Sequence, residues 1–558
     1  MRSEQIATVR QQRITRWLVT ASLTLIVAAV AATAGVQWPL RLSSDGRLLL
    51  DDNGVPFLLV GDASWAISVN LTPAEMDQYL DDRVAKGFST LIIRAIDADA
   101  AAGGPTDYRG ASPFTNGPND WRVRDEIYWQ TVDTVLAKAR ARDLLVIFVP
   151  AYLGFQCGSE GWCQSMKSQS DSVMYDYGRF LAARYKAYNN IVWLDGGDCD
   201  ANQYGTALDR VIAVKNGIVS INPALLRFGH TGRNDESAVD YPWIDAHPAY
   251  SDCDLSSLRL RTEFERAPTR PVMLLEARYE NEGASAACIA SQAMWSFLGG
   301  AVGHVFGNRP IWNFSSGWAG SSGIGAPGST QMSNIGKLMR SRAWWRLQPD
   351  YAHATVISGF GSLGTAGYVP AARTDDGQTV MAFLPDTAGP ITVNMTRVSG
   401  SSAKGWWVDS ATGTSTLIGS FPTTGTRSFT APAANLTLVL DNESAALASP
   451  GTTLYPPPTP LSRVAGVKLL RPVYGAGNTV TLTFQWSVVS GASSYRIYRS
   501  NNAAGPWNNA LEAGANCFDT NGDALNDTCQ YTLSNAAVIP TEWFLVTGYS
   551  GASESPLH

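Results

Sequence analysis

The sequence predicts an α/β fold, a (β/α)8 barrel followed by a β-sandwich and a second, small all-β domain. Three observations carry this. Between residues 56 and 308, eight short apolar runs alternate with longer amphipathic stretches. Near-continuous apolar strands joined by helices mark a parallel sheet, and eight units in about 250 residues favour a closed (TIM) barrel over an open doubly wound sheet. After about residue 352 the runs become short and alternating, broken by Gly, Asp-Gly and Thr-Gly, which is the pattern of an all-β unit. A stiff Pro-rich stretch, SPGTTLYPPPTPLS, then separates a third, β-only segment.

The elements follow in order. PFLLVGD (56–62) is the first strand. Thr72, Pro73 and Glu75 supply an N-cap, a proline at the first helical position and an acidic first turn. This helix runs to Lys86 and stops at Gly87. STLIIRAI (89–96) and LLVIFVP (144–150) are strands two and three, with a helix over 126–141 between them. A helix near 169–187 leads to IVWLDGGD (191–198), and one near 203–216 to LLRFGH (225–230). WIDAH (243–247) is the sixth strand, PVMLLEARYE (271–280) the seventh and GHVFGN (303–308) the eighth, with a helix over 284–299. The expected division is barrel 35–352, sandwich 353–445, linker 446–464 and a C-terminal module 465–558.

Length and composition agree. The chain has 558 residues, more than one core of roughly 250–300 residues accommodates. Only 16% of residues are charged and 45% are hydrophobic, which excludes a disordered chain or a coiled coil. A net charge of -6 leaves no electrostatic footprint for nucleic acid. The 18 Trp and 20 Tyr suit sugar binding and equally suit a large β-rich core.

At the N-terminus, Arg2, Arg10, Arg13 and Arg16 precede an uncharged run over residues 17–36. This reads as a signal peptide cleaved after Ala32-Thr33-Ala34, or as a membrane anchor through residues 17–36 if uncleaved. Either way the expectation is export, to a secreted, cell-surface or periplasmic location. Seven cysteines fit that compartment. Cys157 with Cys163 and Cys517 with Cys529 form local disulfides by this reading. Cys199, Cys253 and Cys288 remain, and Cys199 is paired with Cys253. There is no CxxC pair and no HExxH, so neither a structural nor a catalytic metal is expected, and no cofactor.

In a (β/α)8 barrel, chemistry sits where the strands end at the C-terminal face. Strand one ends in Asp62, strand four in Asp198 and strand seven in Glu276, while Asp245 and His247 lie on strand six. Asp198 and Glu276 stand across the mouth from each other. Glycoside hydrolysis needs such a pair, one carboxyl to protonate the leaving oxygen and one to attack or to activate water. A lone strand-end carboxylate could equally cap a helix or pair with Arg278. Asp195, three residues before Asp198, competes for the acid's role. Strand alternation aims it at the opposite face unless Gly196-Gly197 break the extension.

Four stretches make the reading specific: PFLLVGDASW (56–65), NIVWLDGGD (190–198), RPVMLLEARYE (270–280) and GHVFGNRPIWNF (303–314). They resemble the apiosidase-like glycoside hydrolases. STQMSNIGKLMRSRAWWRLQPD (329–350), YVPAAR and WWVDSATG resemble that family's junction and its following sandwich of collagen-binding type. The resemblance covers about residues 40–445. It implies Asp198 as general acid/base and Glu276 as nucleophile of a retaining enzyme, with carboxyl groups about 5–5.5 Å apart. It also implies apiose-containing pectin side chains as substrate class. The sequence departs from the family at Asp195 and at Leu275, where a small residue is usual. Leu275 bears on the shape of the sugar subsite, not on the chemistry. Trp486, Tyr495 and Tyr498 give the C-terminal module a resemblance to fibronectin type III.

Further substrate-binding candidates are Asp62, to hold hydroxyls, Trp65 and Trp312, to stack on sugar faces, His247 and His304, to bond hydroxyls or orient Glu276, and Tyr279 and Asn308. Each has a structural alternative: turn capping for Asp62, core packing for the others. Arg94 and Asp97 are expected to pair with each other. Asp519, Asn521 and Asp523 resemble a calcium loop without its downstream Glu, so a disulfide-closed loop is preferred. The reading is therefore a monomeric, exported, retaining glycoside hydrolase with a carbohydrate substrate. The rival from another class is a catalytically inactive surface protein that binds carbohydrate or matrix.

Overall fold

The computed structural model describes residues 35–98, 104–236, 239, 241–385 and 389–458, and beyond these residues 488–489 and strands between 468 and 554. Residues 1–34 and the Asp519–Asp523 loop lie outside the described residues.

Eight parallel strands form the first layer: β1 (Leu59–Ala63), β2 (Thr90–Arg94), β3 (Leu145–Val149), β4 (Ile191–Gly196), β5 (Arg227–His230), β6 (His247–Tyr250), β7 (Val272–Glu276) and β8 (Gly303–Phe306). Their order is β5-β4-β3-β2-β1-β8-β7-β6. Between β5 and β6 the ring closes through one residue. The Asp245 N–H donates to the Arg227 carbonyl at 2.7 Å, and the Asp245 carboxylate accepts the Arg227 N–H at 2.8 Å. Asp245, predicted within a strand, is this stitch; β6 itself starts two residues later, at His247.

Helices α1 (Pro73–Ala85), α2 (Glu126–Arg140), α3 (Asp171–Tyr185), α4 (Ala207–Val219), α5 (Ser256–Glu265), α6 (Ala286–Leu298) and α7 (Pro327–Arg340) surround the strands. The predicted start of α1 is a complete capping box, with Thr72 and Glu75 exchanging bonds. Helices α5 and α7 were not among the predicted elements. In α5 the run SSLRLRTEFE carries few apolar residues. In α7, PGSTQMSNIGKLMR hides its apolar stripe among Gly, Ser and Asn. Helix α4 begins later than predicted, because a single turn at Ala201–Gln203 occupies the preceding segment.

Three disulfides join Cys157 to Cys163, Cys253 to Cys288 and Cys517 to Cys529. The pairing of Cys199 with Cys253 is corrected. Cys253 follows β6, and Cys288 stands in the first turn of the helix after the neighbouring β7. Cys199 follows β4, which is separated from β6 by β5. Its buried sulfur instead lies within 4.8 Å of both sulfurs of the Cys157–Cys163 bond.

The sandwich begins earlier than predicted. A single turn at Trp344–Arg346 delivers the chain straight into a strand at Leu347–Pro349. That strand edges a six-stranded sheet, which packs with a three-stranded sheet holding Val356–Ser358, Ile391–Asn394 and Thr426–Phe429. Met381, Phe383, Trp406 and Val439 share one core with Ile289, Phe297, Ile335 and Phe306 of the barrel. Arg342 and Asp441 form a buried ion pair of 2.6 Å across this junction, and Thr379 donates to the same carboxylate at 2.8 Å. The first part of the Pro-rich segment packs here as well. Tyr455 N donates to Arg340 O at 2.7 Å, and its ring meets Trp345. Further on, Thr479–Ser487 pairs with Thr528–Ala537, and Ser494–Ser500 pairs with Trp543–Ser550, all antiparallel. Trp486, Tyr495 and Ile497 are buried there; the Tyr498 side chain lies outside the described residues.

Candidate active site

The mouth of the barrel holds a cavity of about 420 Å³, and both singled-out carboxyl groups line it. Asp198 reaches it because the backbone turns sharply after β4. Gly196 has φ of 91°, Gly197 of 135° and Asp198 itself of 43°. A Cβ on Gly196 would lie 2.2 Å from the Tyr241 hydroxyl, and one on Gly197 2.3 Å from the Tyr152 ring. No other residue type fits these two positions. Asp198, held in the left-handed region, is in a conformation costly for a non-glycine residue.

The same turn resolves the competition with Asp195. That residue is still in the strand and buried, and it faces the Arg227 guanidinium. The two make a bidentate contact, and Trp243 Nε1 donates to Asp195 at 2.9 Å. Asp195 thus stands among the residues that close the barrel, and it does not line the cavity.

Glu276 ends β7. Its Oε2 lies 2.9 Å from Nε2 of His230, the last residue of β5. The Tyr279 hydroxyl accepts the Trp65 indole N–H at 2.7 Å, and burial, with the nearby charge of Glu276, raises its pKa well above the usual tyrosine value. Since Trp65 can only donate, the Tyr279 hydroxyl keeps its own proton to donate elsewhere. Trp65 also stacks on the His230 ring, with centroids 5.9 Å apart. Around Asp198, Arg233 donates to the Tyr250 hydroxyl at 2.8 Å, and Tyr250 stands 3.5 Å from the Asp198 carboxylate. Burial, and next the negative charge of Glu276, push the Asp198 carboxyl up to about 7, against the pull of His230 and Arg233.

Of the other predicted residues, Trp65, Tyr279 and Trp312 line the cavity. Trp312 donates its indole N–H to Glu282 at 3.0 Å. Four do not line it. Asp62 is fully buried, bonded to the Tyr79 hydroxyl at 2.8 Å and to Arg83 at 2.9 Å; burial raises its carboxyl above the usual range. His247 contacts the Pro268 carbonyl at 2.8 Å. His304 is buried on the face of its strand that packs against the helices, 3.2 Å from the Leu274 carbonyl, and burial depresses it to about 4. Asn308 donates to Glu280 at 3.0 Å. Leu275 is buried outside the cavity lining. Arg94 pairs with Asp97 at 3.1 Å, as expected.

Sequence reasoning missed His230, Arg233, Tyr250, Tyr152, Phe155 and Glu160. His230 ends the predicted fifth strand, so the strand-end rule that found Asp198 and Glu276 could have found it too; Tyr250 lies three residues past the predicted end of strand six, which the structure extends to it. Phe155 and Glu160 sit on a loop with no such signal.

A parallel eight-stranded barrel with acidic groups at the ends of β4 and β7 offers the pair of carboxyl groups that glycoside hydrolysis needs. Residues 43–346 match the family described as "Apiosidase-like, catalytic domain", and the chain belongs to that family. Residues 359–441 match a domain described as "Putative collagen-binding domain of a collagenase". Among solved structures, the fold is similar to a glycoside hydrolase family 5 protein from Bacteroides vulgatus, with 21% identity, TM-score 0.63 and coverage of 75% of this chain and 96% of that one. It is also similar to a protein titled "Glycoside hydrolase", with 22% identity, TM-score 0.62 and coverage of 73% and 97%. At such identities the likeness speaks to the fold. A search of curated proteins returns no match.

Proposed function

We propose that this protein is an exported, retaining glycoside hydrolase, with Glu276 as nucleophile and Asp198 as general acid/base. The observation that supports this best is the contrast between the two carboxyl groups. Asp198 is buried and pushed up to about 7, so it keeps a proton to donate near neutrality. Glu276 lies 2.9 Å from a histidine ring nitrogen and lines the cavity beside the Tyr279 hydroxyl. Two carboxyl groups in opposed environments suit the two roles.

In the first step Glu276 attacks the anomeric carbon. The bond to the leaving oxygen breaks as Asp198 gives it a proton. In the second, Asp198 takes a proton from water, whose oxygen attacks the anomeric carbon and releases Glu276. The sugar emerges with its original anomeric configuration.

The substrate assignment rests on the family: an apiosidase or a related pentofuranosidase, acting on plant-type or other extracellular polysaccharides and oligosaccharides. The basic and apolar N-terminus supports export to where such polymers are found, and the protein is read as a monomer. The C-terminal strands are read as a fibronectin type III-like module, and the sandwich as a carbohydrate- or matrix-binding unit.

The test is turnover on a panel of plant cell-wall oligosaccharides, including apiose-containing pectin fragments. The expected result is release of a pentose by the unsubstituted protein and loss of nearly all release in Glu276→Gln and Asp198→Asn. Binding to the same glycans with no turnover would point instead to the inactive, surface-binding alternative.

A further inference from the structure

One wall of the cavity comes from residues 153–163, which follow β3 and are closed on themselves by the Cys157–Cys163 disulfide. Phe155 projects from this wall. It lines the cavity and is 52% exposed, whereas Trp65, Tyr152, Tyr250 and Tyr279 around it are all below 9%. The exposed half of this large apolar residue, at the edge of a polar cavity, gains nothing from the fold itself. Covering it with the C–H face of another ring would recover about 25 cal/mol per Å² of buried apolar surface.

The backbone that carries the ring is also held in place before anything binds. The Phe155 N–H donates to Glu160 at 2.7 Å, and its carbonyl accepts from Gly158 at 2.9 Å. A Cβ on Gly161 would lie 2.1 Å from the Leu153 carbonyl, so the loop is packed tightly against its own base. Order fixed in advance lowers the cost of binding.

The position of the loop says what would cover the ring. The N–H of Gln156, next to Phe155, donates to the Asp198 carbonyl at 3.1 Å. The loop is therefore tied to the acid. The aromatic groups at Trp65 and Tyr279 are tied to each other and to His230, beside Glu276, instead. In the reaction proposed above, Asp198 protonates the oxygen of the departing group, so that group lies on the Asp198 side of the scissile bond.

From this geometry we infer that Phe155 is the platform of a leaving-group subsite, which stacks on the C–H face of a sugar ring on the departing side of the bond. Glu160, on the same loop and lining the same cavity, adds a carboxylate that can accept a bond from a hydroxyl of that ring. The leaving group is then itself a saccharide, not a small alcohol. This rests on the proposed function and adds a specificity determinant to it.

The experiment compares two substrates that share the glycosyl group released from the oligosaccharide panel. One is a disaccharide, and the other is the glycosyl fluoride, whose leaving group has no ring. Phe155→Ala is expected to lower the ratio of kcat/KM for the disaccharide to that for the fluoride by about tenfold, chiefly through KM. Phe155→Trp, which keeps an aromatic face, is expected to restore the ratio. A ratio that stays constant in Phe155→Ala overturns the inference, whether both substrates slow together or neither does. A ratio that falls in Phe155→Trp as far as in Phe155→Ala overturns it too. No turnover of either substrate by the unsubstituted protein is a different failure: it removes the proposed function, and this inference with it.

Discussion

Nε2 of His230 lies 2.9 Å from Oε2 of Glu276, joining the ends of two strands that are not paired to each other in the sheet. The His230 ring is also stacked on Trp65 and is only 1% exposed, so it has little room to move. This fixes the direction from which the Glu276 carboxylate faces the cavity. We predict that His230→Ala lowers kcat by about 10²-fold, the scale expected when a reacting group is misplaced by about 1 Å. His230→Gln, which keeps a donor, should recover part of the loss. Steady-state kinetics of the two variants, with thermal unfolding to show that both remain folded, checks this.

Asp198 gives a pH dependence with a definite sign. Its carboxyl is pushed up to about 7 in the folded protein, and the acid acts in its protonated form. We predict that kcat/KM falls as pH rises through about 7. The same shift acts on stability. Between the ordinary aspartate value and about 7, the folded protein keeps a proton that the unfolded chain has released, so the group costs stability increasingly as pH rises through that window. Asp198→Asn removes this cost. Its melting temperature, relative to the unsubstituted protein, should be higher at pH 8 than at pH 4. An equal difference at both values would contradict the assignment.

The turn after β4 makes a third prediction. Gly196 has φ of 91°, and a Cβ there would lie 2.2 Å from the Tyr241 hydroxyl and 2.3 Å from the His230 carbonyl. Gly196→Ala should destabilise the protein by more than about 1 kcal/mol, since alanine at positive φ is strained and the contacts cannot both relax. It should also lower activity, because it displaces both Asp198 and the strand end that carries His230. Urea unfolding and kinetics on one preparation test both effects.

The buried pair of Asp62 and Arg83 predicts the reverse pattern. Both side chains are fully buried and 2.9 Å apart, and Asp62 does not line the cavity. Arg83→Met leaves the carboxyl without its cation, and removing one partner of a buried pair costs about 3–5 kcal/mol. The expected result is a large fall in stability with KM unchanged in the folded fraction. A raised KM at unchanged stability would return Asp62 to the sugar site.

These residues also show what a sequence can disclose about this fold. The barrel strands were legible because each is a run of apolar residues buried on both faces, as in LVIFV of β3. Asp198 and Glu276 were legible because two carboxyl groups at the ends of opposed strands are harder to explain by capping or pairing than one alone. The same logic over-reached at Asp62, where the decisive partner, Arg83, comes from the following helix and brings the carboxylate inside. It under-reached at His230, which looked like an ordinary strand end until the closed ring brought it opposite Glu276, and at Tyr250, which lay beyond the predicted end of its strand. Phe155 could not be found at all, since its role depends on a loop folding back to bond the Asp198 carbonyl. The cysteine pairing failed for a related reason: which loops are neighbours around a barrel rim follows from strand order, and Cys199 and Cys253 are separated there by β5.

With Glu276 as nucleophile and Asp198 as acid/base, the reaction passes through a covalent glycosyl-enzyme. The most direct measurement is to incubate the protein with a 2-deoxy-2-fluoro glycosyl fluoride of the released sugar, which slows the second step, and to locate the adduct by mass spectrometry of proteolytic peptides. The expected result is one glycosyl group per chain, attached to Glu276, with none formed in Glu276→Gln. An adduct on any other residue, or hydrolysis with inversion at the anomeric carbon and no adduct, would contradict these roles.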